Sequence, residues 1–251
     1  MLEVGDEPPL ILDLGTGLRQ FGLRQPTDGS FRGSALVTHI HWDHVQGLPF
    51  FPPVNRPGAR LDIYGPRQKE GPLGAVFGDL MRPPYFPVQY SDLRGDIEFH
   101  DVADEDIEIG TAKIAVRPVP HVGPTVGYRI QWDGTVVTYI SDHQQPVDGD
   151  GNPLGGIADS VMELCEGADL LIHDSQYTLS EFLERSDWGH CTIEYAVMLA
   201  KAARARRLVM FHHDPSHDDD EMDRLVETAR CQGAMGGLEV LGAAEGMSLT
   251  L

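Results

Sequence analysis

Apolar and polar positions alternate along several segments of this chain, and short apolar runs ended by glycine or proline lie between them. Alternation with a period of two is typical of half-buried strands, and short apolar runs are typical of buried ones. Asp133-Gly134 between two apolar segments predicts a hairpin. The predicted strands cover 35–39, 60–66, 97–100, 107–109, 113–116, 126–132, 135–140, 168–173, 207–211, 238–241 and 247–250, and a further strand runs into a tight turn within 10–17.

Helical segments lie mainly between the later strands. Ser216 or His217 would start the last helix, and its first turn carries three aspartates, which the positive end of a helix favours. Because strands cluster early, helices follow and no linker interrupts the chain, we predict one α/β domain over 1–251, with two mixed sheets packed together and helices outside. The predicted helices cover 73–81, 157–165, 179–185, 192–205 and 218–231.

The composition indicates a well-cored but loop-rich globular protein. The 251 residues are 41% hydrophobic and include 28 glycines and 18 prolines. No stretch approaches the ~18 consecutive apolar residues of a membrane helix, and no basic and then apolar start indicates a signal peptide, so we expect a cytoplasmic protein without membrane contact. Cys165, Cys191 and Cys231 are widely spaced and odd in number, which favours reduced thiols over a disulfide framework or a cysteine metal site.

The charge of the chain limits its partners. Lysine and arginine number 19 and aspartate and glutamate 39, which gives a formal net charge of −20. Nucleic-acid affinity comes largely from basic side chains that displace counterions, so bulk nucleic acid is not expected as a partner. A small anionic substrate is compatible with this surface, because bound divalent cations dominate the field inside their own pocket.

The densest group of candidate ligands is His39, His41, Asp43 and His44, which follow the apolar run 35–37. Imidazole and carboxylate together suit zinc, manganese or iron(II) better than calcium or magnesium. A simple polar cap between a strand and a helix would explain one or two of these histidines but not the whole HxHxDH run. Asp13, at the end of an earlier apolar run, is interpreted either as a support for this cluster or as a turn former.

The HxHxDH run resembles the signature of the metallo-β-lactamase superfamily, and the resemblance extends over nearly the whole chain. Residues 119–130 resemble the segment that carries the family's third histidine, here His121. Residues 139–142 resemble the segment of its bridging aspartate, here Asp142, and 207–213 resemble the strand that ends in its last histidine. The resemblance implies an αββα sandwich of two mixed sheets, with a single hydrolase domain over 1–251.

The same resemblance implies two divalent metal ions, with zinc as the first choice and manganese or iron as alternatives. One ion would be held by His39, His41 and His121, and Asp142 would bridge to the other. The ligands of the second ion would be Asp43, which we also count among the catalytic residues, His44 and His212. His213 is the alternative to His212, because the two are adjacent and only one is easily the ligand.

Two further segments resemble the tRNase Z and cyclic-phosphodiesterase branch of the superfamily. They are 170–177 and 189–192, the second of which reads Gly-His-Cys-Thr where the branch has Gly-His-Ser-Thr. The resemblance implies that His190 donates a proton to the leaving oxygen and that Asp174 orients it, where the family more often has glutamate. The alternative is that His190 only precedes the helix cap Thr192. His143 is expected to line the pocket, and His173 to be buried and hydrogen-bonded.

These observations predict a two-metal hydrolase that uses a metal-bridging hydroxide on a small phosphodiester, either a cyclic nucleotide or a cyclic sugar phosphate. Processing of tRNA is disfavoured, because the inserted arm that grips tRNA in the tRNase Z family has no basic, glycine-rich counterpart in this chain. The net charge of −20 also disfavours it. The alternative reaction on the same metals is hydrolysis of a lactone, a thioester or a β-lactam. A binding module without catalysis is the third class, and a homodimer is an open alternative to a monomer.

Overall fold

The computed structural model describes residues 1–251, which divide into a first unit, Met1–Ala103, and a second unit, Asp104–Leu251. Each unit has a sheet and a hydrophobic core of its own. None of the helices is both long enough and apolar enough to span a bilayer.

The first unit contains a four-stranded sheet in the order β1-β2-β3-β4. All three strand pairs are parallel, and one antiparallel bridge between Leu2 and Leu10 makes this sheet mixed only at its edge. Parallel strands need long connections, which here carry α1, α2 and α3. The strands are β1 Leu10–Leu12, β2 Arg32–Leu36, β3 Arg60–Pro66 and β4 Asp96–Val102, and the helices are α1 Gly17–Gly22, α2 Trp42–Val45 and α3 Leu73–Leu80.

The second unit contains a seven-stranded mixed sheet in the order β11-β10-β9-β8-β7-β6-β5. Tight turns such as Asp133-Gly134 join its antiparallel half, β5 to β8, while helices join its parallel half, β8 to β11. The strands are β5 Glu105–Ile109, β6 Ala112–Pro118, β7 Val126–Trp132, β8 Thr135–Ile140, β9 Leu170–Asp174, β10 Arg207–Phe211 and β11 Glu239–Gly242, and the helices are α4 Asp159–Cys165, α5 Leu179–Glu184, α6 Ile193–Ala202 and α7 Asp219–Ala234.

The predicted fold class is confirmed, since the chain is α/β with two sheets and helices that pack on them. Three details of the prediction are wrong. The strand predicted at 35–39 is β2 at Arg32–Leu36, which ends before His39. Residues 247–250 form no strand and are exposed to solvent. The last helix is capped by Asp218, which accepts the N–H of Glu221, and not by Ser216 or His217. Ser216 instead gives its own N–H and hydroxyl to Asp214 in the preceding turn.

Candidate metal centre

In the first unit, the HxHxDH run begins in the loop after β2 and ends within α2, which contains Asp43 and His44. His39 and His44 are buried, whereas His41 and Asp43 are exposed. The ring centroid of His39 lies 4.4 Å from that of His41 and 4.2 Å from that of His44. A single turn therefore brings three imidazoles and the carboxylate of Asp43 together, with Asp43 Oδ2 3.0 Å from His44 Nε2.

Asp13 organises this turn from the end of β1. Its carboxylate accepts the backbone N–H of Thr38 at 2.7 Å and lies 2.8 Å from Nδ1 of His44. The hydroxyl of Thr38 donates to the same carboxylate and lies 3.0 Å from Nδ1 of His39. When Nδ1 is the donor in each ring, Nε2 of His39 and of His44 is left as the ligand atom. These contacts agree with the interpretation of Asp13 as a support for the cluster.

Two glycines permit the close approach of the β1–α1 turn to the HxHxDH turn. A Cβ at Gly15 would lie 2.6 Å from the carbonyl oxygen of Asp43, and one at Gly47 would lie 2.0 Å from the carbonyl oxygen of Gly15. Both contacts are with backbone atoms, which cannot move aside as a flexible side chain can. Backbone hydrogen bonds from Leu14 to His44 and from Gly47 to Leu14 hold the two turns together.

We predict that Asp13→Asn lowers the affinity of the purified protein for zinc about 10- to 100-fold, the usual effect of losing a group that orients a metal ligand. Asn is the matched replacement, because Asp13 has φ +56° and Asn tolerates the left-handed region. Competition with a chromophoric chelator measures the affinity, and circular dichroism checks the fold. An unchanged zinc affinity would show that Asp13 only shapes the turn.

In the second unit, three imidazoles surround one oxygen of Asp142, which is 2% exposed. Oδ2 of Asp142 lies 3.8 Å from His121 Nε2, 3.7 Å from His190 Nδ1 and 3.6 Å from His212 Nε2. These distances exceed those of hydrogen bonds. For Nε2 of His121 and of His212 they are close to the separation of about 3.4 Å between two ligands of one tetrahedral zinc with bonds of ~2.0–2.1 Å. Asp142, His190 and His212 form a group whose ligand atoms all lie within 4.8 Å.

The backbone of Gly189 fixes the orientation of His121. Nδ1 of His121 lies 2.7 Å from the carbonyl oxygen of Gly189, so the ring N–H is donated there and Nε2 faces Asp142. Gly189 has φ +97°, and a Cβ on it would lie 2.5 Å from His121 Nδ1. Only glycine meets both requirements, which explains a glycine directly before His190.

The geometry separates His212 from His213. His212 directly follows β10 with φ +57°, and its ring stacks on that of His190 at 5.0 Å and 17°. Nε2 of His213 instead lies 3.2 Å from the carbonyl oxygen of Ala243, and burial lowers the pKa of His213. His212 is therefore the histidine that approaches Asp142.

His190 is hydrogen-bonded to Asp174 at the end of β9. The distance from His190 Nδ1 to Asp174 Oδ2 is 2.9 Å, so aspartate reaches the ring without the longer side chain of glutamate. Asp174 is fully buried, and it also accepts the backbone N–H groups of His143 and Gln176. The carboxylate is thus held by three donors and fixes the His190 ring, whose Nε2 is left for another partner.

His143 is fully buried, so the prediction that it lines a pocket is wrong. Nδ1 of His143 lies 3.0 Å from Nε2 of His173, and His173 Nδ1 lies 2.6 Å from the carbonyl oxygen of Asp174. Burial lowers the pKa of both rings, well below the ordinary value for His143, so both are neutral at pH 7. The expectation of a buried, hydrogen-bonded His173 is confirmed.

Two other polar residues have structural contacts. Burial raises the pKa of the Cys191 thiol, whose Sγ lies 3.1 Å from the carbonyl oxygen of Asp174. Cys191 therefore packs behind the His190–Asp174 pair as a neutral thiol. His217, interpreted as part of a solvated helix start, is instead bonded through Nε2 to Glu181 at 2.8 Å.

Comparison with known proteins supports one family. A sequence model described as a Beta-lactamase superfamily domain matches residues 11–213, which span the boundary between the two units. A ribonuclease Z of Ignicoccus hospitalis is 25% identical over 261 residues, covering 88% of this chain and 82% of that protein.

Two solved structures share the fold. A diphosphatase of the PhnP family has a TM-score of 0.67 and 23% identity, over 99% of this chain and 82% of that one. The short form of human tRNase Z has a TM-score of 0.67 and 20% identity, over 99% of this chain and 90% of that one.

Proposed function

This chain belongs to the β-lactamase superfamily, and from that premise we propose that it is a two-metal phosphodiesterase of small phosphodiesters, such as a cyclic nucleotide or a cyclic sugar phosphate. The observation that carries the proposal is the His190–Asp174 pair at 2.9 Å beside Asp142. Breaking a P–O bond to an alcohol needs a proton on the leaving oxygen, and a histidine held by a carboxylate is suited to donate it. The names of two relatives, a ribonuclease and a diphosphatase, support chemistry at phosphorus.

We propose that 1–251 form one hydrolase domain with a two-metal centre. His39, His41 and His121 would hold one ion, and Asp142 would be shared. Imidazole and carboxylate fit zinc best, with manganese or iron(II) as alternatives. When bound, two such ions lower the pKa of water from ~15.7 towards ~7 and neutralise charge on the phosphoryl oxygens. The ligands of the second ion would be Asp43, His44 and His212.

The proposed proton donor acts through its second ring nitrogen. His190 donates its Nδ1–H to Asp174, and this hydrogen bond fixes the orientation of the ring. Nε2 then carries the proton that moves to the leaving oxygen as the P–O bond breaks. Asp174 does not touch the reacting atoms in this scheme and acts by positioning His190.

A small substrate fits the charge of the chain better than a polynucleotide. At a net charge of −20, the protein repels a long polyanion, whose binding needs many basic contacts. A phosphodiester with a single negative charge meets much less repulsion and is attracted by the metal ions. Tight, salt-sensitive binding of tRNA would contradict this part of the proposal.

A substrate panel tests the proposal against carbonyl hydrolysis. We expect protein loaded with zinc or manganese to hydrolyse bis(4-nitrophenyl) phosphate and at least one cyclic phosphate. Rates on a lactone, a thioester and a β-lactam should stay at the background of metal-stripped protein. Hydrolysis of a lactone, thioester or β-lactam without hydrolysis of any phosphodiester would contradict the proposal and support the alternative reaction at the carbonyl. A folded protein that retains no metal and hydrolyses none of these substrates would favour a binding module without catalysis.

A further inference from the structure

We infer that Trp188, backed by Arg185, forms a stacking subsite for an aromatic base next to His190. The substrate would then be a nucleoside phosphodiester and not a cyclic sugar phosphate without a base. This inference rests on the proposed function, because His190 is placed there as the proton donor. Trp188 precedes His190 by two residues in the loop between α5 and α6.

The loop holds Trp188 in a fixed place although the side chain is 61% exposed. The side chain of Gln144 donates to the carbonyl of Ser186 at 2.9 Å and accepts the N–H of Gly189 at 2.8 Å. The N–H of Trp188 itself bonds to the carbonyl of Arg185. These hydrogen bonds order the backbone on both sides of Trp188, so the loop need not rearrange when a ligand stacks on the exposed indole.

Arg185 supports the indole from one side. Its guanidinium carbon lies 5.6 Å from the ring centroid of Trp188 and 5.5 Å from that of Tyr177, both within cation–π range. Arg185 also pairs with Asp214 at 3.2 Å, so its charge is already balanced. The subsite therefore offers a flat, nearly neutral aromatic surface, which suits a base better than a second phosphate.

Tyr177 connects this surface to His190. Its ring lies 5.7 Å from the His190 ring at 88°, an edge-to-face contact, and its side chain is buried. Burial raises the pKa of Tyr177 to about 12, so the phenol is uncharged at neutral pH. Cation–π and edge-to-face contacts thus connect Trp188 through Arg185 and Tyr177 to His190. In the inferred subsite the base of the leaving nucleoside stacks on Trp188 while its oxygen takes the proton from His190.

Matched substrates test the inference in the metal-loaded enzyme. The comparison is kcat/KM for adenosine 2′,3′-cyclic phosphate against that for glycerol 1,2-cyclic phosphate, which has no base. We expect Trp188→Ala to lower the first about tenfold or more, as loss of a base–aromatic stack does, and to leave the second unchanged. Trp188→Phe should retain most of the activity on the adenosine substrate. Leu183→Ala, at an exposed apolar residue of the preceding helix, is the control and should change neither value.

A binding measurement separates failure of the subsite from failure of the proposed function. Calorimetry should show that wild-type protein binds adenosine 5′-monophosphate more tightly than ribose 5-phosphate, and that Trp188→Ala removes the difference. Equal effects of Trp188→Ala on both cyclic phosphates, or none on either, would overturn the inference while diester hydrolysis stands. If no diester is hydrolysed, the proposed function fails, and the nucleotide affinities alone decide whether the subsite exists.

Discussion

Replacing Asp142 with alanine should lower the hydrolysis of bis(4-nitrophenyl) phosphate about a thousandfold, which corresponds to the several kcal/mol that metal ions contribute to such reactions. Asp142 is 2% exposed, and nitrogen atoms of three histidines lie 3.6–3.8 Å from its Oδ2. Without this carboxylate the imidazoles lose the negative charge that would hold a shared cation among them. We therefore expect less bound metal per chain together with the lower rate.

Two further variants control for the removal of a charge. Asp148→Asn removes an exposed carboxylate from the loop that follows β8 and should leave rate and metal content unchanged. Asp142→Asn keeps the size of the side chain and should be nearly as impaired as the alanine variant. Full activity and full metal content in Asp142→Asn would show that this carboxylate is not a ligand.

Replacing His190 with alanine should have an effect that depends on the leaving group. A 4-nitrophenolate leaves without a proton, so we expect the rate on aryl diesters to fall less than about tenfold. An alkyl or sugar alkoxide needs the proton to leave. The rate on such diesters should therefore fall by the ~10²- to 10⁴-fold that general acid catalysis contributes. Comparing kcat for bis(4-nitrophenyl) phosphate and a cyclic phosphate measures the difference. In Asp174→Asn the loss of kcat should depend on the leaving group in the same way but should be smaller than in His190→Ala.

A histidine outside the proposed metal-ligand set serves as the control for this prediction. His100 lies on β4 in the first unit, bonded to Asp62, and His100→Gln should leave both substrates unaffected. Equal losses on aryl and alkyl leaving groups in His190→Ala would assign His190 to metal binding or to structure. No loss on either substrate would remove the main support for the phosphodiester reaction.

The ligand cluster of the first unit was predictable because it is local in sequence. His39, His41, Asp43 and His44 lie within one turn, so their proximity follows from the chain itself. The sequence could not decide whether Asp13 supports the cluster or only forms a turn. Its contact with His44 spans 31 positions and depends on the parallel pairing of β1 and β2.

Predictions about individual histidines of the second unit depended on tertiary contacts that no local pattern encodes. The burial of His143 follows from its packing against His173 on the neighbouring strand β9, whereas its position after Asp142 had indicated a pocket. His212 and His213 are distinguished by the left-handed backbone of His212 and by the acceptor Ala243, 30 positions from His213.

The residues around Trp188 were not predictable from the sequence. An exposed tryptophan and a single arginine have no periodicity, and their relation to Tyr177 depends on a tertiary pairing, the parallel bridge between Tyr177 and Thr192. Segment 247–250 is the opposite case. Its alternation predicted a strand, but no neighbouring strand pairs with it, and alternation without a partner does not make a sheet.

Titration of zinc or manganese into chelator-treated protein tests the two-metal reaction directly. Turnover of bis(4-nitrophenyl) phosphate is followed, and bound metal is counted by mass spectrometry of the digested sample. If the protein is a two-metal phosphodiesterase, metal-free protein has no turnover, and the activity rises to a plateau at two metal ions per chain. Turnover that survives complete removal of metal, or two bound ions with no turnover of any phosphodiester, would contradict it.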